Sequence, residues 1–241
     1  MIVSQGQLNG PEKEAQAYSV PWKPIDNWIG IFLLVLVNLV LLFIAYRGYW
    51  DNVAQSVVLI LAQLAYFIPV LVVFIYRKVS LKAVGFGKFE WSTLALGCGL
   101  VIASNIIIFL HNLILMALGV ETQAQEILAF LNSLDSPFWL IFVGTILAPL
   151  VEEIFFRGFL FQGFRQRYGW VTAILLSAAI FSAAHLSLVV LIPTFILGCV
   201  LAYVYHRTNS VWPGIILHFL INSFGFCALY VSTRLPELIP V

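Results

Sequence analysis

From residue 28 onward, long apolar runs alternate with short polar connections. Seven such segments run roughly over 28–46, 53–76, 91–118, 138–166, 170–187, 189–205 and 211–231. At about 1.5 Å of rise per residue, each is long enough to cross roughly 30 Å of hydrocarbon as a helix. The pattern predicts an all-α, polytopic transmembrane helix bundle of about seven to eight spans. The third and fourth segments are long enough to tilt, break or emerge from the bilayer, and a break in one of them would supply the eighth span. Pro149 is placed to kink the fourth segment and Pro193 the sixth.

Residues 1–27 are polar and contain Gly10-Pro11, Pro21 and Pro24. They are expected to form a flexible tail ending at the membrane interface with Trp22 and Trp28. No basic stretch leads into a short apolar core, so the tail does not read as a cleavable signal peptide. The chain thus divides into this tail, N-terminal transmembrane helices over 28–136, a core over 137–231 and a short C-terminal tail over 232–241.

Composition agrees with the pattern: of 241 residues, 62% are hydrophobic and 10% charged, unlike an ordinary soluble domain. With a net charge of +1 and no basic run longer than Arg77-Lys78, a nucleic-acid partner is excluded and the lipid bilayer is the partner implied. Cys98, Cys199 and Cys227 lie in apolar segments without CxxC spacing and read as reduced packing residues. Of the twelve Lys and Arg residues, nine fall on the tail and the even-numbered connections. Arg47 and Arg234 fall on the other side, and Arg157 lies within a segment. This asymmetry predicts a cytoplasmic N-terminus.

Charge inside the apolar pattern is concentrated in Leu150-Val-Glu152-Glu153-Ile-Phe-Phe-Arg157. Ionised side chains at membrane depth are costly, so they face a bundle interior or a wet cavity and pair with one another. Glu153 and Arg157, four apart with the acid first, share one helix face and are expected to pair. Glu152 lies about 100° round the helix with no basic partner within four residues, so its partner must come from another helix or from water.

The fifth segment ends in Phe181-Ser-Ala-Ala-His185, and the seventh contains His218-Phe-Leu-Ile-Asn222. If the fourth and fifth segments form a hairpin turning near Tyr168-Gly169, Glu152 and His185 both lie about 24 Å from the turn, at one level. His218 and Asn222, four apart, share a face. His111 reads instead as a helix–helix hydrogen-bonding residue, His206 as an interfacial one, and the Phe155, Phe156, Phe159, Phe161 and Phe164 series as packing.

A carboxylate and an imidazole that share a water can take its proton as it attacks a carbonyl, while a second imidazole and a carboxamide could donate to the resulting oxyanion. The same Glu and two His, Glu152, His185 and His218, are also a ligand set for a hydrolytic zinc ion. The residues by themselves leave both open. Other membrane protease designs lack their residues, since there is no HExxH, GxGD or GxSxG.

The order Glu152-Glu153-xxx-Arg157, Phe181-xxx-His185, His218-xxx-Asn222 resembles the CPBP family, the CAAX proteases and bacteriocin-processing enzymes also called the Abi family. The resemblance covers about residues 137–231. It implies an intramembrane endopeptidase acting on a membrane-associated peptide, prenylated or bacteriocin-like, in a cavity open to the cytoplasm and the membrane. By motif position Glu152 and His185 would activate water, His218 and Asn222 would form the oxyanion site, and Glu153 with Arg157 would support them. The resemblance favours a cofactor-free, glutamate-activated water, with zinc as the alternative. Two other functions fit the class: a non-catalytic scaffold or immunity factor of the same fold, and a proton-coupled transporter. An intact Glu and His set argues against the first, and the absence of inverted repeats argues against the second.

Overall fold

The computed structural model describes residues 19–47, 55–120, 122–133 and 137–234. The first eighteen residues with Lys13, the connection at 48–54, Glu121, Asp135 and the chain beyond Arg234 lie outside the described residues. Among the described residues all regular structure is helical. The helices are α1 (Pro24–Tyr46), α2 (Gln55–Leu64), α3 (Phe67–Arg77), α4 (Trp91–Ala117), α5 (Gln123–Ser133), α6 (137–168), α7 (170–183), α8 (Leu191–Thr208) and α9 (Trp212–Arg234). A 3₁₀ turn at Leu81–Val84 precedes α4.

Among the described residues, six continuous runs are long and apolar enough to cross a membrane. The predicted fourth and fifth segments form one of them, Phe138–Ala183, interrupted at Gly169, where φ 78° and ψ 167° leave the helical region. Glycine has no Cβ to oppose such a conformation, and the chain reverses there. The reversal is fixed by register. Phe156, thirteen residues before Gly169, packs its ring on Phe181, twelve residues after it, at 5.0 Å between centroids. The predicted hairpin is present, but its second arm ends at Ala183, so α7 is about 21 Å long and falls short of a span.

One of the two prolines acts differently from expectation. Pro193 lies in the first turn of α8, where no backbone N–H is needed, and it kinks nothing. Around Pro149 the helix keeps helical torsions but widens to π geometry at Val143–Leu147, and again at Glu153–Phe161. Single π turns are uncommon and recur at functional sites.

The core is built round α6. Phe155, Phe156, Phe159, Phe161 and Phe164 are all buried, as is every residue of Glu153–Phe161. A helix apolar on every side must be covered on every side. Trp22 and Phe74 pack their rings against Phe159, tilted and edge-on respectively, Tyr205 of α8 meets Phe161, and Phe181 of α7 meets Phe156. Buried carbonyls near these contacts are paired: Asn27 donates Nδ2–H to Leu160 O at 2.7 Å, Gln162 donates to Ala83 O at 2.9 Å, and Tyr205 donates to Val84 O at 3.1 Å.

This arrangement corrects the expected tail. Trp22 is 1% exposed instead of interfacial, and Gln166 donates to its carbonyl at 2.9 Å. Asp26 caps the start of α1 by accepting from the Lys23 backbone N–H and binds Arg77 through two oxygens, at 2.8 and 2.9 Å. Residues 20–27 are therefore part of the packed bundle, and proline and glycine content misled because long-range contacts order the segment. Trp28, 46% exposed, fits the interfacial expectation. Trp22→Ala should accordingly cost about 3–5 kcal/mol and lower the melting temperature in detergent. Trp28→Ala should cost far less; equal losses at the two positions would contradict this packing.

Candidate active site

The two charged residues predicted to pair do so. Arg157 donates from Nη1 to Glu153 Oε1 at 2.8 Å, with both side chains buried. Three further elements close on the pair. From α8, Gly198 O accepts from Arg157 Nη2 at 3.3 Å; from α7, the Phe181 ring lies 4.4 Å from the guanidinium carbon. From α9, His218 Nδ1 lies 3.3 Å from Glu153 Oε1. Two glycines permit this closeness. A Cβ at Gly214 would fall 2.5 Å from Glu153 Oε2, and one at Gly198 would fall 3.0 Å from Ala178.

The bond to Glu153 fixes the state of His218. A carboxylate only accepts, so Nδ1 carries the hydrogen and the ring presents Nε2 on its other side. Nε2 faces Glu152 Oε2 at 4.0 Å. That is beyond a hydrogen bond and close enough for one water to touch both groups. Glu152 is itself buried, and its Oε1 accepts from Gln63 Nε2 at 2.9 Å. The expected partner from another helix is thus an amide on α2.

His185 occupies the last turn beyond α7. Its Nδ1 lies 2.8 Å from Phe181 O, a pure acceptor, so this ring too holds its hydrogen on Nδ1 and presents Nε2. Phe181 stands edge to face with both imidazoles, at 4.8 Å from His185 and 5.8 Å from His218. His185 lies four residues beyond Phe181, whose partner Phe156 lies four residues beyond Glu152, and its exposed ring contrasts with buried His218.

Asn222, one turn beyond His218, donates Nδ2–H to Gly144 O at 2.7 Å. The local chain explains why that carbonyl is available. In the π register the Ala148 N–H goes to Val143 O, and the next backbone nitrogen belongs to Pro149, which has no hydrogen. Asn222 supplies the missing donor and is held in one orientation by doing so.

Among the described residues, no three His, Cys, Asp or Glu side chains converge to hold a metal. The zinc alternative would draw on Glu152, His185 and His218; Glu152 and His218 oppose each other at 4.0 Å, and the Phe181 ring packs on both imidazoles. His111 meets neighbouring Asn112, and His206 stacks on Trp170, so neither joins the group. Gln63 and Gly144 were missed by sequence reasoning. A glutamine near a helix end is unremarkable in a sequence, and a backbone carbonyl leaves no mark beyond the nearby proline.

Fold and site together define a polytopic membrane protein with a buried glutamate–histidine centre. Residues 134–224, the stretch that holds all three motifs, match the type II CAAX prenyl endopeptidase Rce1-like family. The chain is similar to "Putative membrane peptidase YdiL" of Bacillus subtilis, 29% identical over 44% of this chain and 43% of that protein. It also resembles "UPF0177 protein YxdF" of Lactococcus lactis, 27% identical over 56% of this chain and 72% of that one. A third relative, "Uncharacterized 24.3 kDa protein" of Escherichia coli, is 33% identical over 33% of this chain and 39% of its own. The chain thus spans less than half the length of the Bacillus protein. No solved structure matches it.

Removing one member of the buried pair leaves the other uncompensated. Arg157→Ala should destabilise the protein by about 3–5 kcal/mol. The double substitution Glu153→Gln with Arg157→Met, which removes both charges, should recover much of that loss in thermal unfolding in detergent. A double variant no more stable than Arg157→Ala would show that the pair is not the source of the loss.

Proposed function

We propose that the protein is an intramembrane endopeptidase that cleaves a membrane-associated peptide with a water activated by Glu152. The observation that carries the reading is Glu152 Oε2 opposite His218 Nε2 at 4.0 Å, in a buried site whose neighbouring charges are already paired. The family match of residues 134–224 and the name of the Bacillus relative support peptidase chemistry. The CAAX type, with a prenylated substrate, is the specific form that the family description suggests.

In the proposed step Glu152 takes a proton from the water as its oxygen attacks the scissile carbonyl carbon. The tetrahedral oxyanion that forms is stabilised by the second Nδ2–H of Asn222, whose first is held by Gly144 O. Protonated Glu152 then delivers its proton to the departing amine, and the C–N bond breaks. His218 holds the water from the side opposite Glu152, and His185 offers a second Nε2. Glu153 orients His218 through Nδ1. This shifts His218 from the oxyanion role assigned by motif position toward the water, while Asn222 keeps that role. No step calls for a metal.

The distribution of Lys and Arg supports a cytoplasmic N-terminus, with the 78–90 connection on the same side. On a background lacking the three native cysteines, Leu118→Cys should react with an impermeant thiol reagent in intact cells and Lys82→Cys should not. The reverse pattern would invert the orientation.

Purified protein in lipid should cleave membrane-anchored test peptides, prenylated or not, at a rate unchanged by chelator. Glu152→Gln should reduce cleavage to background with folding intact. Asn222→Ala should leave turnover lowered by about 10²–10³. Near-normal cleavage by Glu152→Gln would remove it as the base. Inhibition by chelator, reversed by zinc, would require a metal site that closes only with substrate. A proton-dependent flux abolished by Glu152→Gln, with no peptide cleaved, would favour transport.

A further inference from the structure

The centre is not complete within the family segment. Glu152 is buried, and of its two oxygens one faces His218 while the other is held by a residue 89 positions earlier in the chain, Gln63. Gln63 stands in the last turn of α2, and the local backbone aims it inward. The α2 and α3 helices are interrupted at Ala65-Tyr66, where Tyr66 N–H turns back to Gln63 O at 3.3 Å. Ala65 is buried at the break, and the Tyr66 ring is wedged against both Phe155 and Phe156, 5.7 and 5.8 Å away. These contacts fix the end of α2 against α6 on the turn that follows Glu152.

A glutamate has three rotatable bonds before its carboxylate, and π geometry begins at the next residue. Nothing in its own helix therefore dictates which way the two oxygens point. An amide N–H bound to one oxygen does so, because a carboxylate is planar and holding Oε1 sets the direction of Oε2. We propose that Gln63 is a positioning residue for hydrolysis: by donating Nε2–H to Glu152 Oε1, it turns Oε2 toward the water shared with His218. This rests on the hydrolytic reading above and extends the working centre to the N-terminal helices.

The bond is between an amide and a carboxylate, so its loss should matter at the chemical step more than in substrate binding. Gln63→Leu keeps approximate size without the donor. Gln63→Asn keeps an amide one methylene too short to reach, and covers the case in which the leucine variant fails to fold. Both should cleave with kcat lowered about 10- to 100-fold and KM within about twofold, at a melting temperature close to that of the unmodified protein. A purely structural role would instead lower the melting temperature and the amount of folded protein, with kcat per folded molecule preserved.

A second measurement needs no turnover. The infrared carboxylate band of Glu152, identified as the band lost in Glu152→Gln, should shift in both Gln63 variants. An unmoved band, or kcat within twofold of the unmodified protein, overturns the proposal. If the unmodified protein cleaves no peptide, the hydrolytic reading fails and this role falls with it. A band that still shifts then shows that the contact exists and that the chemistry was misassigned.

Discussion

A salt bridge shut away from water holds this bundle in register. Glu153 and Arg157 are 0% and 1% exposed, and a lone charge at that depth would be prohibitive. Each must be satisfied from several directions, so each neighbouring helix must arrive in one register. Arg157 calls Gly198 and Phe181 into place, and Glu153 calls His218 and the bare backbone at Gly214. The pair contributes little net stability compared with an apolar filling of the same shape. What it does is tie α7, α8 and α9 to α6 through these contacts, with Glu153 Oε2 and Arg157 Nε buried and without a hydrogen-bond partner among the described residues.

Aromatic packing surrounds that point and extends it toward the end of the bundle that carries Gly169. Of the buried phenylalanines of α6, Phe156, Phe159 and Phe161 meet Phe181, Trp22, Phe74 and Tyr205, Phe155 meets Tyr66 and Phe164 meets Trp28, while polar side chains, Asn27, Gln162 and Gln166, staple the surrounding turns to one another. The segment matched by the family therefore does not stand alone. The residues that cap it come from α1, from α3 and from the 3₁₀ turn, all outside the matched range.

Much of this was legible in the sequence because the relevant interactions are local or periodic. The spacing of Glu153 and Arg157 gave their pairing, and the hairpin followed from two apolar arms about a glycine; the Phe156 to Phe181 contact bears it out. What escaped depended on distant partners or on departures from ideal helix geometry. Trp22 read as interfacial because its burying neighbours Phe74 and Phe159 lie 52 and 137 residues away. The π turns have no sequence signature of comparable strength, yet they free Gly144 O for Asn222. Gln63 could not be singled out among the glutamines until the fold set it beside Glu152.

The shortness of α7 bears on how the loop after it is satisfied. The chain leaves helical form at residues 184–190, about 21 Å from the turn at Gly169, with Leu186 in a left-handed conformation and Leu186 and Leu188 among the most exposed apolar side chains. Peptide groups without helical partners are not stable against acyl chains. At membrane depth, they persist beside protein or beside water. The loop here lies beside protein: Ser187 Oγ donates to Glu126 of α5, Ser182 Oγ donates to Leu191 O at the start of α8, and the N–H groups of Ala184, His185 and Leu186 turn back onto the last turn of α7.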